Sequence, residues 1–235
     1  MRPRILFVPI FGAFEARPFR ELAGDWADVE SFDGPGAGTR RDEAPGGIEA
    51  MAAAASERLD ELGWPSCVVV CDSHAQAVGI ELALTDSRVA GICISHAAAR
   101  YSTEGERSTL NSAVHAAAAQ LLTSDLRSFA HALTQLTQGQ IDEDWVDAFI
   151  ADVPRATAAA RTGRLDGREL VARLRDSEVE VVLGMHSGCL MWTPEGFEDA
   201  AALVPRAVTV VCDEVPNADP AFLAAARELC ARVFG

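Results

Sequence analysis

Lysine is missing from this sequence of 235 residues, and its 20 basic residues are all arginine. The absence excludes mechanisms that need a lysine amine, including a Schiff base, a pyridoxal anchor and the lysine of a phosphate-binding loop. Positive charge is scarce as well, because 35 acidic residues give a formal net charge of −15. Such a surface repels phosphate backbones and anionic lipids, so we expect neither a nucleic-acid partner nor a membrane partner.

Long apolar runs and paired cysteine motifs are also missing. The first apolar run, Ile5–Ile10, is too short for a signal segment or a membrane span, so we expect a cytoplasmic protein. No C-x-x-C pair occurs and no histidine–cysteine cluster has zinc-ligand spacing, so we expect neither a metal nor a cofactor. Compartment and apolar context predict reduced, buried thiols for the cysteines. The six are Cys67, Cys71, Cys93, Cys189, Cys212 and Cys230.

What is present is an alternation of short apolar runs with alanine-rich amphipathic segments. Runs that are apolar on both faces and separated by helices are typical of a mostly parallel sheet covered on both sides. We therefore predict an α/β fold with about six strands and helices on both faces. The runs are Ile5–Ile10, Val29–Phe32, Cys67–Cys71, Val89–Ser95, Val179–Leu183 and Ala207–Cys212.

The alternation is interrupted once, between the fourth and fifth runs, where no strand pattern occurs. We interpret this region as a small helical lid, inserted at roughly 97–176 into a single domain that spans 1–235. The final helix is predicted at Pro220–Val233, with Asp219 as its N-cap. The stretches of the insertion with helical periodicity are Ser108–Thr137, Asp142–Arg161 and Asp166–Arg175.

A sharp strand-to-helix turn is indicated where the third run ends. The sequence Cys71-Asp72-Ser73-His74-Ala75 follows an apolar strand and precedes a helix of small residues. Such a turn presents a nucleophile, and it needs small side chains two positions before and after it, usually in the pattern G-x-S-x-G. Cys71 and Ala75 are both small, so Ser73 is the candidate nucleophile. The alternative is that Ser73 only caps the helix that follows.

Two further loops make the chain resemble the α/β-hydrolase superfamily. Residues Ile5–Gly12 are similar to its first core strand and oxyanion loop, although the usual His-Gly pair is missing here. Residues Val29–Arg40 look like the next strand and its D-x-x-G-x-G loop. The resemblance covers nearly the whole chain and implies the α/β-hydrolase fold. It also implies an oxyanion hole formed by the backbone N–H groups of Phe11 and His74.

The catalytic triad of that superfamily is altered in this chain. Ser187 stands where the acid is usual, and no histidine follows His186, so the ordinary order of acid and base cannot be present. In one interpretation His186 is the base and Asp213 or Glu214 orients it. The chemistry needs the three side chains within hydrogen-bond distance of one another, and it does not need a fixed order along the chain. In a variant, His96 is the alternative base or acid. In another interpretation the triad is lost, and the serine is a weak nucleophile or a binding group.

The favoured function is acyl transfer through a serine acyl-enzyme, by an acyltransferase that acts on a thioester or ester. Met185, Met191 and Trp192 follow the penultimate strand and are candidates for an apolar acyl pocket, although core packing would explain them equally. A closed, dry site would favour transfer over fast hydrolysis. The alternatives are an ordinary esterase or thioesterase, a degenerate pseudo-hydrolase that binds a small apolar ligand, and a cofactor-free lyase.

In fold, size and altered triad the chain is similar to small tailoring acyltransferases of actinobacterial natural-product pathways, such as the indolyl acyltransferase of nosiheptide biosynthesis. That resemblance implies a role in antibiotic biosynthesis, with a small acyl substrate presented by a carrier protein. The implied acceptor is a peptide hydroxyl or thiol. An acidic carrier protein would be repelled by a charge of −15 unless arginines cluster where it docks.

Overall fold

One parallel sheet forms the centre of the molecule. The computed structural model describes residues 2–98, 117, 119–123, 125–138, 140–161, 168–189, 193–213 and 219–235. The strands are β1 (Arg4–Val8), β2 (Asp28–Glu30), β3 (Cys67–Asp72), β4 (Val89–Ser95), β5 (Glu180–His186) and β6 (Val208–Cys212). They pair in the order β2-β1-β3-β4-β5-β6, and each neighbouring pair is parallel. The prediction of a parallel sheet of six strands is confirmed.

Helices cover both faces of this sheet. They include α1 (Arg17–Ala23), α2 (Ile48–Leu62), α3 (Gln76–Thr85), α4 (Leu126–Gln138), α5 (Glu143–Asp152), α6 (Arg155–Arg161), α7 (Arg168–Leu174), α8 (Pro194–Leu203) and α9 (Pro220–Phe234). Helices α1 and α9 contribute to the core on one face, and α2, α3, α7 and α8 contribute to the core on the other.

Strand β3 shows why the central runs lack alternation. Val68 and Val70 pack in the core with α1 and α9, whereas Cys67, Val69 and Cys71 pack in the core with α2 and α3. All five residues are fully buried. A strand that is buried on both faces reads as a continuous apolar run, as parallel sheets generally do.

The predicted insertion contains helices α4 to α7, which lie in sequence between β4 and β5. Phe129, Trp145 and Phe149 form an aromatic cluster with Phe11, which belongs to the loop after β1. The rings of Phe11 and Phe149 meet edge to face, with centroids 5.0 Å apart. The insertion therefore packs directly on that loop. Residues 99–116 and 162–167 of the predicted lid lie outside the described residues, and its boundaries and the single domain stay predictions.

One smaller prediction, the N-cap of the last helix, is confirmed, and the prediction of buried thiols is confirmed for five of the six cysteines. Helix α9 begins at Pro220, and the carboxylate of Asp219 accepts the backbone N–H of Ala221 at 2.7 Å as an N-cap. All six cysteines are free, and all except Cys189 are buried. Among the described helices none is both long and apolar enough to cross a membrane.

Candidate active site

Ser73 lies directly after β3, where a 3-10 turn over Ser73–Ala75 leads into α3. Its backbone φ is +45°, and among the described residues that are not glycine only His96, with φ of +50°, is also in the left-handed region. Such a backbone costs about 1–3 kcal/mol at a residue with a side chain, and strain of this kind is concentrated at functional sites. The sharp strand-to-helix turn predicted from the sequence is therefore present at Ser73, and the structure adds that its backbone is strained.

Close packing behind the turn explains the small residues on either side of Ser73. Cys71 is fully buried and Ala75 is 1% exposed. A Cβ atom at Gly79 would lie 2.7 Å from Cys71 Sγ, so α3 rests directly against β3. Burial also raises the pKa of the Cys71 thiol well above its ordinary value. Cys71 is therefore a packing residue, and the nucleophilic group of the turn is the hydroxyl of Ser73.

A carboxylate and an imidazole meet at the adjacent carboxyl ends of β3 and β4. Asp72 is opposite Ser95 in the register of the two strands, and His96 is the next residue. His96 Nδ1 lies 2.8 Å from Asp72 Oδ1, and Ser95 Oγ donates a hydrogen bond to the same oxygen at 2.7 Å. His96 is 3% exposed. A carboxylate on Nδ1 favours the tautomer that leaves Nε2 able to accept a proton.

The loop that carries His96 is held on two sides. The buried side chain of Gln76 donates to the carbonyl oxygen of Ala98 at 2.8 Å and accepts its N–H at 3.3 Å. The N–H of Ala97 donates to the carbonyl oxygen of Gly184 at 2.9 Å. His96 is thus fixed relative to both α3 and β5.

His186 and Asp213, the base and acid of the first interpretation, are also neighbours. His186 ends β5, and its Nε2 lies 3.1 Å from the backbone carbonyl oxygen of Asp213. Asp213 is exposed, and its N–H donates to the carboxylate of Asp219 at 3.1 Å. The contact between His186 and Asp213 is therefore made by backbone rather than by the carboxylate of Asp213. The catalytic roles of both residues stay predictions.

The remaining predicted site residues are placed only in part. Met185 is 6% exposed and packs in the core on the α2 and α3 face, so its role in a substrate pocket stays a prediction. Met191, Trp192 and Glu214 lie outside the described residues. The backbone of His74 follows Ser73 in the 3-10 turn, and its role as an oxyanion donor also stays a prediction.

The loop after β1, which should supply the Phe11 donor, is bound by a carboxylate of its own chain. Glu15 Oε1 accepts the N–H of Phe11 and, at 2.9 Å, that of Gly12, and Oε2 lies 3.4 Å from the nitrogen of Ile10. The contact with Gly12 is also that of a capping box at the following 3-10 turn, Ala13–Ala16. The role predicted for Phe11 therefore requires Glu15 to move.

Glu15 titrates in the physiological range in this setting. Burial raises the pKa of its carboxyl group to about 7, although the three backbone N–H groups and the charge of Arg161 act to lower it. Near neutral pH, Glu15 is thus present in both its charged and its neutral form.

Arg161, at the end of α6, binds the opposite side of the same peptide groups. Its guanidinium donates to the carbonyl oxygens of Ile10 at 2.8 Å, Phe11 at 2.9 Å and Pro35 at 2.5 Å. Arg161 is 5% exposed. A trans peptide group points its C=O and N–H in opposite directions, so Arg161 on the carbonyl of Ile10 helps to aim the N–H of Phe11 towards Glu15.

Asp33 joins the loops that follow β1 and β2. Its Oδ1 accepts the N–H of Ala13 at 2.9 Å, and its Oδ2 accepts both the N–H and the hydroxyl of Thr39 at 3.0 Å. Gly38 has φ of +51°, and a Cβ atom there would lie 2.3 Å from Asp33 Oδ2. Asp33 and Gly38 of the D-x-x-G-x-G sequence are therefore explained by loop geometry. Within the described ranges, no group of three metal-ligating side chains is arranged to hold an ion.

Comparison with known proteins identifies the fold. No family model matches the chain, and no curated protein matches it. Among solved structures, a hydrolase from Oleispira antarctica matches with a TM-score of 0.79 and 12% identity over 97% of this chain and 91% of that one. An α/β hydrolase enzyme from a Medee basin deep-sea metagenome matches with a TM-score of 0.70 and 12% identity, over 98% and 90%. This chain has the α/β-hydrolase fold.

A thermophilic esterase from Thermogutta terrifontis has the same α/β-hydrolase fold, with a TM-score of 0.73 and 20% identity over all of this chain and 91% of that one. At these identities the likeness concerns the fold alone. The resemblance to the nosiheptide acyltransferase gains no support from these matches.

Sequence reasoning missed three side chains of this α/β-hydrolase site. Asp72 was passed over because only the strand register places it beside His96. Arg161 is an ordinary helical arginine in the sequence, and no local pattern indicates that it reaches the loop after β1. Glu15 carried a usable signal, because glutamate three residues after a helix cap is typical of a capping box.

Proposed function

We propose that the chain is an enzyme that forms an acyl-enzyme on Ser73 from an ester or thioester. The observation that carries the proposal is the contact of Asp72 with the buried imidazole of His96, next to a serine on a strained turn. In this assignment His96 is the base, Asp72 orients it, and His186 is not required. Similarity to solved hydrolases and esterases supports the same class of chemistry.

The reaction divides into two steps. In the first, Ser73 Oγ bonds to the acyl carbon while its proton passes to His96 Nε2, and the bond from that carbon to the alcohol or thiol leaving group breaks. The proton then goes from His96 to the leaving group. In the second, water or another acceptor attacks the acyl-enzyme by the same route, giving a free acid or a new ester or thioester.

Transfer to an acceptor other than water is a second candidate. Ser73 is 6% exposed and His96 is 3% exposed, so the reacting groups are shielded from bulk solvent. Exclusion of water lengthens the life of an acyl-enzyme and gives a bound acceptor time to react. A carrier-protein donor and a peptide acceptor remain part of this second proposal.

A fluorophosphonate probe and a series of p-nitrophenyl esters test the proposal. We expect the probe to label wild type on Ser73, the esters to give a burst of p-nitrophenol, and Ser73→Ala to lose both signals. Ser128→Ala, a serine change on lid helix α4, is the matched control and should behave as wild type. Wild-type protein that neither labels nor gives a burst with any ester would overturn the proposal.

The two candidate functions, hydrolysis and transfer, differ in which molecule attacks the acyl-enzyme in the second step. Under the transfer proposal, acyl-enzyme formed from an N-acetylcysteamine thioester should yield more acylated alcohol or thiol than free acid when millimolar acceptor is added. Release of free acid alone, with every acceptor tested, would leave the esterase assignment and contradict transfer.

A further inference from the structure

Three consecutive N–H groups of the loop after β1 converge on one carboxylate. Glu15 Oε1 binds the N–H groups of Phe11 and Gly12, and Oε2 lies near that of Ile10. Backbone N–H groups gathered in this way form a site for a negatively charged oxygen. The occupant of that site in this structure is a side chain of the same molecule.

The site coincides with the donor that acyl chemistry needs. The N–H of Phe11 belongs to the loop after β1, where the α/β-hydrolase fold provides an oxyanion donor, and β1 pairs with β3, the strand that Ser73 follows. The oxyanion of a tetrahedral intermediate and an oxygen of Glu15 are both anionic acceptors, so they compete for this N–H. While Glu15 is bound there, the intermediate forms without one of its donors.

Glu15 could instead act only as a structural cap. The capping-box contact with Gly12 would be satisfied by a single oxygen at Gly12 alone. Glu15 in addition reaches Phe11 and approaches Ile10, while Arg161 holds the carbonyl oxygens of both residues from the other side. The peptide group between Ile10 and Phe11 is therefore held by Arg161 at its C=O and by Glu15 at its N–H. A helix cap does not require these two contacts.

We propose that Glu15 is an internal occupant of the oxyanion site and that the reactive state has its carboxylate turned away from the N–H of Phe11. The inference rests on the proposed acyl-enzyme at Ser73. A ligand that needs the N–H of Phe11 binds only the molecules in which Glu15 has released that N–H. Its apparent affinity is therefore reduced in proportion to the fraction of such molecules. Ionised Glu15 competes most strongly, because charge-assisted hydrogen bonds are stronger than neutral ones.

The charged groups around Glu15 are few among the described residues. Arg161 acts on it from α6, and the charge of Asp33, on the loop after β2, acts on the same guanidinium. At the start of α5, which packs against the same 3-10 turn, the N-cap Asp142 and the helical Asp144 are paired with Arg17. Because the pKa of Glu15 is about 7, its competition with the oxyanion for the N–H of Phe11 should strengthen between about pH 6 and 8.

Labelling of Ser73 by a fluorophosphonate measures the competition, because the phosphoryl oxygen of the probe needs the oxyanion donors. The labelling rate constants of Glu15→Gln and Glu15→Ala are each divided by that of wild type at every pH from 5.5 to 8.5. The titration of the catalytic base affects all three proteins, so it cancels in these ratios. We expect Glu15→Gln to label at least about tenfold faster than wild type at pH 8.5, since a blocked donor is worth about 10²–10³ in rate. The ratio should approach one at pH 5.5.

The control is Glu21→Gln, an exposed glutamate on α1 with the same change of charge, and its ratio should stay near one at every pH. Wild-type labelling with a Glu15→Gln ratio of one or less throughout would overturn the role of Glu15 and leave the acyl-enzyme standing. No labelling above the Ser73→Ala level in any variant would overturn both proposals. Labelling of Glu15→Gln alone would support both.

Amide NMR supplies a readout that does not depend on rate. The amide protons of Phe11 and Gly12 should shift with a midpoint near pH 7 in wild type, and this titration should be absent in Glu15→Gln. It should also disappear when Ser73 carries the phosphonyl group, because Glu15 has then been displaced. If the titration persists unchanged in the phosphonylated protein, Glu15 does not occupy the oxyanion site.

Discussion

The backbone of Ser73 is strained, so the residue that acylation needs is unfavourable for the stability of the fold. A side chain at φ of +45° is unfavourable, whereas glycine adopts this conformation without steric cost. We predict that Ser73→Gly is more stable than Ser73→Ala by about 0.5–1 kcal/mol, with acylation lost in both. Urea unfolding of the two variants measures the difference. Equal or reversed stabilities would show that the turn at Ser73 is not strained.

The titration of Glu15 should also make the free energy of unfolding depend on pH. Its pKa in the folded protein, about 7, is raised above the ordinary value for glutamate, so the folded state binds its proton more tightly than the unfolded state does. The contribution to the free energy of unfolding is therefore complete below about pH 4.5 and is lost as the pH rises through 7.

Relative to Glu15→Gln, wild type should lose roughly 2–3 kcal/mol of unfolding free energy between pH 4.5 and 7.5. Urea unfolding at several pH values measures the loss, and Glu21→Gln should run parallel to wild type. A wild-type curve parallel to that of Glu15→Gln would contradict the raised pKa.

At this scale the sequence predicted the nucleophile better than its partners. Ser73 was found because strand, turn and small flanking residues are all local signals. Asp72 and His96 are separated by 24 positions, and their contact arises only from the register that sets Asp72 opposite Ser95. The contacts of Glu15 with Phe11 and Ile10 go beyond the capping box, and no local pattern in the sequence indicates them.

Helix α6 joins the lid to the loop after β1 through the hydrogen bonds of Arg161, in addition to the aromatic contacts made by α4 and α5. Replacing Arg161 by methionine leaves three backbone carbonyl oxygens without their buried donor. We predict a loss of about 2–4 kcal/mol of unfolding free energy. Acylation should also slow by about 10²-fold, because the peptide that carries the Phe11 N–H is no longer held.

Arg161→Lys should recover little of either loss, since one ammonium group cannot reproduce the planar guanidinium contacts. Arg155→Met, at an exposed arginine of the same helix, is the control and should leave acylation near the wild-type rate. Normal acylation in folded Arg161→Met would show that α6 does not position the loop.

The strand boundaries lie within about three residues of the predicted runs, whereas the predicted helical stretch Asp142–Arg161 is divided at Pro154 into α5 and α6. The run Ile5–Ile10 ends as a strand at Val8, because Pro9 has no N–H to donate and the N–H groups of the next residues turn to Glu15. Runs buried on both faces were recognisable by composition, whereas the contact of α6 with the loop after β1 joins residues about 150 positions apart and leaves no local pattern.

The net charge of −15 is a property of the whole molecule, and it bears on the proposed carrier-protein donor. Two acidic proteins repel each other, and salt screens the repulsion over a Debye length of about 10 Å at 0.1 M. If an acidic carrier protein delivers the acyl group, kcat/KM should rise several-fold between 0.01 and 0.15 M salt. A small thioester is the control and should show little change. A falling kcat/KM for the carrier substrate would instead indicate an arginine docking patch.

The choice of base is the central claim for the molecule as a whole, because one histidine, His96, follows β4 and another, His186, ends the neighbouring strand β5. The deciding measurement is the rate of the p-nitrophenol burst in His96→Asn, His186→Asn and Asp72→Asn, each checked for folding by circular dichroism. We predict that His96→Asn slows acylation by about 10²–10⁴-fold, that Asp72→Asn follows it, and that His186→Asn stays near wild type. Slow acylation in His186→Asn with a normal burst in His96→Asn would contradict the assignment.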